Sequence, residues 1–378
     1  VKLPPQPWLD APGVRAVLAA LGEARPVGGA VRDALLGLPV SDVDLATPLA
    51  PATVVERLRA AGLKAIPTGI AHGTVTALAH GEAIEVTTLR RDVATDGRHA
   101  IVEFSTDWRD DAARRDFTIN ALSVDPATME VSDFFGGLAD LDEHLVRFIG
   151  DPATRIAEDH LRILRFFRFH ARFGRGAPDA DGLAACRAHA NDLMALSRER
   201  IRGEVSKLLV AGGAVQVVRI MIANGIFAPV LPEVADVDRL ARLVAAEPAP
   251  DWLRRLAALL PAASAVLDDV AVRLRLSKVE RKRLVAMVAP PQADARAEAY
   301  WDGLDAAIDR RLLAGVVVDA ALDGWAKPRV PISGRDLIAR GVPPGPEVSR
   351  RLGDFERAWV AAGCPADHET LLVAATSA

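Results

Sequence analysis

Asp42 and Asp44 stand two residues apart in Ser41-Asp42-Val43-Asp44-Leu45, shortly after Val27-Gly28-Gly29-Ala30-Val31-Arg32-Asp33. Carboxylates at i and i+2 of a strand share one face, about 7 Å apart, and can hold a pair of Mg²⁺ ions. Mg²⁺ takes oxygen ligands and often completes its shell with substrate phosphates. The two glycines remove Cβ atoms where the chain turns, so phosphate oxygens can approach backbone N–H groups. Arg32 lies in the first turn of the helix that follows and can reach a phosphate, and the helix N-terminus itself favours negative charge. Taken singly, a Gly-Gly before a helix and a D-x-D are common and mostly structural or solvated. In this order they point to a nucleoside triphosphate handled with a divalent metal.

The elements that must position these groups follow from local signals. Arg25 to Val27 reads as a short strand and Ala30 to Leu36 as a helix, stopped by Gly37 and Pro39. Val40 to Ala46 reads as the next strand, with Val43 and Leu45 turned into a core. Thr74 to Ala79 and Ala83 to Leu89 read as strands of a hairpin turning at His80-Gly81. Glu85 then faces away from Ile84 and Val86. It is either an exposed strand glutamate or a third carboxylate beside the D-x-D.

Gly28 through Asp33 with Asp42 through Thr47 resembles the first motif of the class II tRNA nucleotidyltransferases. These are the CCA-adding enzymes and bacterial poly(A) polymerases of the DNA polymerase β superfamily. The resemblance implies that Asp42 and Asp44 bind metal and are catalytic, and that Glu85 completes the catalytic set. It assigns Gly28, Gly29 and Arg32 to the triphosphate. Thr95-Asp96-Gly97-Arg98-His99-Ala100 resembles the loop that helps CCA-adding enzymes switch from C to A, which favours CCA over poly(A) addition. Arg114-Arg115-Asp116-Phe117-Thr118-Ile119-Asn120 resembles the second motif and implies nucleotide contact by Arg115, with Asp116 and Asn120 orienting. Asp133-Phe134-Phe135-Gly136-Gly137-Leu138 resembles a hinge between head and neck.

Glu158-Asp159-His160-Leu161-Arg162-Ile163-Leu164-Arg165-Phe166-Phe167-Arg168 reads as one helix. Asp159, Arg162, Arg165 and Arg168, spaced by three, form a slowly rotating charged band on it. The interleaved Phe166, Phe167 and Phe169 suit a nucleotide base; the plain alternative is an ion pair on a packed helix. Cytosine and adenine each present an amino donor beside a ring-nitrogen acceptor. A carboxylate next to a guanidinium matches that edge and mismatches uracil and guanine. E-D-x-x-R-x-x-R resembles the family's protein-template motif. This implies base reading by Asp159 and Arg162 and ligand contacts by Arg165 and Arg168. Leu196 to Glu204 resembles the motif that braces the template helix.

The chain has 378 residues and a net charge of −4. That excludes a globally basic nucleic-acid coat but not local basic faces. Cys186 and Cys364 imply no disulfide framework or zinc site, which fits a reducing cytosol. No apolar run is long enough to span a bilayer, and the Pro4-Pro5-Gln6-Pro7 start is not expected to be a signal peptide. Strand signals fade after Asp151, and helical spacing takes over between Pro/Gly breaks.

The expected fold class is α+β: a small mixed α/β nucleotidyltransferase head followed by an elongated all-helical neck, body and tail. The domains are placed at 1–150 for the head, 151–270 for neck and body, and 271–378 for a tRNA-binding tail. The cationic run Arg273 to Arg283 is a candidate for RNA phosphates. The implied activity is CCA addition to tRNA from CTP and ATP with Mg²⁺. A poly(A) polymerase, a partial CC- or A-adding enzyme and an inactive RNA-binding relative are the rivals.

Overall fold

The computed structural model describes residues 1–95, 100–318 and 320–376, and it divides after Pro232 into two units, Val1–Pro232 and Glu233–Ala378. The division falls within the stretch read as neck and body. Asp96, Gly97, Arg98 and His99 of the loop read as a C-to-A switch lie outside the described residues.

The first unit starts with α1 (Pro12–Leu21), which has proline in its first turn and Gly22 at φ +75° closing it. There follow β1 (Arg25–Val27), α2 (Gly29–Leu35), β2 (Asp44–Thr47), α3 (Pro51–Ala60), β3 (Lys64–Gly69), β4 (Thr74–Ala79) and β5 (Glu82–Thr88). Next come β6 (Arg90–Thr95), β7 (Ala100–Phe104), α4 (Trp108–Ala113), β8 (Ser123–Val124) and β9 (Val131–Ser132). Seven strands form one mixed sheet in the order β3-β4-β5-β2-β1-β8-β9, and β6 pairs with β7 separately. β2 and β5 run parallel; the other paired strands are antiparallel.

Side-chain alternation decides which face is wet. Val75 and Ala77 of β4, Ile84 and Val86 of β5, and Leu45 of β2 are buried against Val14, Val17 and Leu21 of α1 and Val54 and Leu58 of α3. Glu85, between Ile84 and Val86, is left exposed. The hairpin turn falls at His80 and Gly81, both with positive φ.

β2 is shorter than the sequence suggests: it begins at Asp44, not Val40, so Asp42 is not on the strand. β1 has three residues, and its last, Val27, pairs with Asp44. Beyond it, Gly28 turns the chain at φ +67° into α2, so residues 40–43 have no ladder partner on that side.

The rest of this unit is helical: α5 (Gly137–Asp142), α6 (Pro152–Glu158), α7 (Leu161–Phe173), α8 (Ala180–Ala188), α9 (Arg198–Leu209) and α10 (Ala214–Ala223). The segment read as a hinge has a tight local structure. Asp133 accepts backbone N–H bonds from Phe135, Gly137 and Leu138 at 3.0–3.1 Å. Gly136 is left-handed at φ +78°. A Cβ on Gly137 would lie 2.3 Å from the Thr118 carbonyl oxygen. Backbone cannot yield as a flexible side chain does, so Gly137→Ala is expected to cost about 1–3 kcal/mol of stability in urea unfolding.

The second unit contains α11 (Asp238–Ala246), α12 (Trp252–Leu259), α13 (Ser264–Arg273), α14 (Lys278–Ala286), α15 (Ala295–Asp302), α16 (Leu304–Ala314), α17 (Gly334–Ala339), α18 (Pro346–Ala361) and α19 (Glu369–Thr376). Its cationic run is largely engaged within the unit. Arg273 pairs with Glu233, Arg281 with Asp268, and Arg283 with Asp251 and the fully buried Asp309. Lys278 and Lys282 stay exposed. Among the described residues, no helix is long and apolar enough to cross a membrane.

Candidate active site

Asp44 opens β2 directly beside Glu85 of β5 in the parallel register. Both carboxyls are held above the ordinary carboxylate range. For Asp44 the main cause is lost hydration, with repulsion from Asp42 added and Arg115 opposing. For Glu85 lost hydration comes first and repulsion from Asp44 second, opposed by Arg90. Asp42 sits just before the strand, exposed, where its Oδ2 accepts a 2.9 Å bond from Ser41 Oγ. The three acidic groups therefore gather at one strand end. They do so by sheet register and a preceding loop rather than by alternation along one strand.

Asp44 forms one wall of a cleft of about 510 Å³. Gly28, Gly29, Arg32, Arg115, Asp159, Arg162, Arg165 and Arg168 also line it; Asp42 and Glu85 do not. Phe169, one of the three phenylalanines read as suiting a base, lines it too, as do Asn120 and Arg200, which carry no ligand-contact signal in the sequence. Seven arginines against three aspartates face this space, in a chain that is acidic overall.

Gly28 has a reason beyond the turn. A Cβ there would lie 2.7 Å from Arg115 Nη1, so its absence lets that guanidinium stand next to the backbone. Gly28 N–H is not free for phosphate, because it donates to the Leu122 carbonyl at 2.9 Å. Arg115 is fixed from behind by Asp111, through Nη2 at 3.0 Å, and by the Asn120 carbonyl. Gly29 begins α2.

Arg32 is buried, and it is fixed rather than reaching. Its Nε and Nη2 donate to Asp33 at 2.8 and 2.7 Å, and its Nη1 donates to Asn120 Oδ1. Burial lowers its pKa, against the pull of Asp33. Asn120 passes the link on, its Nδ2 donating to Asp116 Oδ1 at 2.9 Å. The other Asp116 oxygen accepts from Arg165 Nε at 2.7 Å. Burial opposes the Asp116 charge, yet Arg165 and Asn120 outweigh it and hold the carboxyl below its ordinary range. Asp116→Ala would leave Arg165 unpaired, and about 3 kcal/mol of stability loss is expected in urea unfolding.

The segment read as one helix is two. α6 ends at Glu158 and α7 begins at Leu161, with Asp159 extended at φ −154°, ψ 105°. Asp159 Oδ1 takes the Leu161 N–H at 3.1 Å, a local bond that competes with helix continuation. Its Oδ2 accepts from Arg200 Nη2 at 2.8 Å, so its partner is Arg200 and not Arg162. Arg162 donates to the carbonyls of Arg155 and Arg114 at 2.9 and 3.1 Å and pairs with Glu158. Those contacts use three of its five N–H donors. Arg168 donates to Glu204 at 2.5 Å, one turn after Arg200 on α9.

The aromatic residues divide by face. Phe166 and Phe167 are wholly buried and pack in the core, Phe166 also against Phe117 and Phe148, so neither is open to a base. Phe169 reaches the cleft wall, where the guanidiniums of Arg168, Arg32 and Arg165 stand 4.2, 5.3 and 5.3 Å from its centroid. One ring thus steadies three cations from two helices.

Residues 24–147 match the Poly A polymerase head domain family, and residues 178–237 match the family described as probable RNA and SrmB-binding site of polymerase A. The mouse CCA tRNA nucleotidyltransferase 1, mitochondrial, is 35% identical over 375 residues, covering 93% of this chain and 86% of that one. The chain belongs to the CCA tRNA nucleotidyltransferase family. The CCA-adding enzyme of Lacticaseibacillus paracasei is 33% identical over 97% of this chain and 95% of its own length. The Bacillus stearothermophilus CCA-adding enzyme, solved in complex with CTP, superposes with a TM-score of 0.76 at 28% identity, covering 95% of this chain and 94% of that one. For a nucleotidyltransferase, an arginine-rich cleft suits a substrate that carries negative charge.

Proposed function

We propose that the chain rebuilds the CCA terminus of tRNA, adding C twice from CTP and then A from ATP without a nucleic-acid template. The tRNA 3′-hydroxyl attacks the α-phosphate in line, a new phosphodiester forms, and pyrophosphate leaves. The observation that carries this reading is the shared cleft: Asp44 and Arg115 line it together with Asp159 and Arg162, so a nucleotide's phosphates and base can be held at once.

The acidic cluster suits Mg²⁺. Its donors are all oxygens, and the repulsion of Asp42 on Asp44 and of Asp44 on Glu85 is of a kind that a cation relieves. Among the described residues, no three His, Cys, Asp or Glu side chains converge closely enough to form a metal cage of their own. Ligands from substrate phosphates and water are then required, which is how Mg²⁺ is usually held by nucleotide enzymes. Bound by Asp42 and Asp44, two such ions would lower the pKa of the 3′-hydroxyl and stabilise the departing pyrophosphate. Arg115, fixed by Asp111, neutralises phosphate charge beside Gly28. Arg32 stiffens the wall behind it. Asp159 accepts from the amino group of C or A, and Arg162 donates to the adjacent ring nitrogen. Arg165 and Arg168 keep the rest of the cleft positive. The Glu233–Ala378 unit supplies tRNA contacts, with exposed Lys278 and Lys282 as salt-sensitive phosphate partners.

Trimmed tRNA ending at the discriminator base should incorporate labelled C from CTP alone, and then A once ATP is added, only with Mg²⁺ present. Incorporation of A alone, in long runs, would identify a poly(A) polymerase instead.

A further inference from the structure

We infer that Arg200 is a specificity-positioning residue, holding Asp159 in the orientation that reads the base. The inference rests on the reading of Asp159 given above. Asp159 lies between helices, extended at φ −154°, ψ 105°, with its carbonyl accepting the Arg162 N–H at 3.0 Å. Its carboxylate is held at both oxygens: the Leu161 N–H takes Oδ1, and Arg200 Nη2 takes Oδ2 at 2.8 Å. Each carboxylate oxygen accepts two bonds, so one acceptor direction per oxygen is left for a nucleotide.

Arg200 also keeps Asp159 apart from Arg162. Both arginines line the same cleft as Asp159. A carboxylate released by Arg200 would be free to pair with Arg162, a guanidinium of the same cleft. The acceptor and donor that should face the base would then satisfy each other, and selectivity for an amino donor next to a ring acceptor would fall. Arg162 is held away by the carbonyls of Arg155 and Arg114 and by Glu158, so the two halves of the edge have separate anchors.

The helix that supplies Arg200 is built for this. On α9, Arg200 and Glu204 are four residues apart and share a face. The first pairs with Asp159 and the second with Arg168. α9 packs along α7, so one helix sets an acid and a base of the cleft at a fixed spacing.

The test compares kcat/KM for CTP and for UTP on trimmed tRNA. The proteins are the parent, Arg200→Ala, Arg200→Lys, Asp159→Ala and the double variant. The ratio is taken within one preparation, so it is insensitive to the fraction of protein that folds. Arg200→Ala is expected to lower the CTP-over-UTP ratio by about 10- to 100-fold, the worth of a hydrogen bond to a charged group. Arg200→Lys, which keeps the cation, should recover most of the ratio. In the Asp159→Ala background, removing Arg200 should lower the ratio no further. Equal losses with CTP and UTP in Arg200→Ala, or an added loss in the double variant, overturn the inference while leaving CCA addition by the parent intact. A parent that incorporates neither C nor A overturns both.

Discussion

Asp44→Asn is expected to abolish nucleotide addition and yet to raise the melting temperature of the metal-free protein. The loss follows from the place of Asp44 beside Glu85 at the acidic end of the cleft. Several kcal/mol of charge stabilisation is the usual contribution of a metal site in such chemistry, so a fall of about 10³-fold or more in kcat is expected. The gain in stability follows from the raised pKa of Asp44. A carboxyl whose folded pKa exceeds its unfolded value binds its proton more tightly when folded. The ionised form then costs stability at pH values above the folded pKa, and the cost disappears below the unfolded one. At pH 7 without metal, asparagine removes that cost. The difference in melting temperature between variant and parent should shrink as pH falls from neutrality through the raised pKa. Calorimetry in EDTA across that range, beside incorporation assays with Mg²⁺, checks both halves. Retained activity in Asp44→Asn would sink the assignment. A variant no more stable than the parent at pH 7 would sink the electrostatic account.

Asp159→Ala is expected to separate catalysis from choice. A site whose buried groups pair with a substrate donor rejects the wrong analogue by roughly 10⁴-fold, because mismatched groups stay unpaired. Without the carboxylate, the amino group of cytosine has lost its acceptor, and the carbonyl of uracil no longer meets a negative charge. CTP use should fall, UTP use should rise, and their ratio should drop by at least about 10²-fold. Pyrophosphate release with each nucleotide measures this directly. An unchanged ratio would place base selection elsewhere in the cleft.

The groups of the site were legible wherever chemistry depends on residue type and local spacing. Gly28, Asp44, Arg115 and Asp159 fall in short motifs, and the structure sets all four around one space. What local spacing could not carry was pairing between distant segments. The start of β2 depends on where β1 stops, so the alternation that put Asp42 on a strand had no partner to support it. Helical periodicity ran straight through Asp159 because Arg162, Arg165 and Arg168 continue it. The signal for a break was there, since aspartate readily takes a neighbouring backbone N–H. The separation of 41 residues between Asp159 and Arg200, and of 88 between Arg32 and Asn120, leaves no trace in any window. Phe166 and Phe167 looked like a stacking platform because aromatic type does not reveal which way a side chain faces.

The interruption between α6 and α7 places the Asp159 carboxylate on an extended residue whose carbonyl still accepts the Arg162 N–H at 3.0 Å. Turning that residue would cost α7 a backbone bond of its first turn as well as the side-chain bonds to Leu161 and Arg200. Asp159 is thus pinned through main chain and side chain together, which makes it a rigid acceptor rather than a swivel.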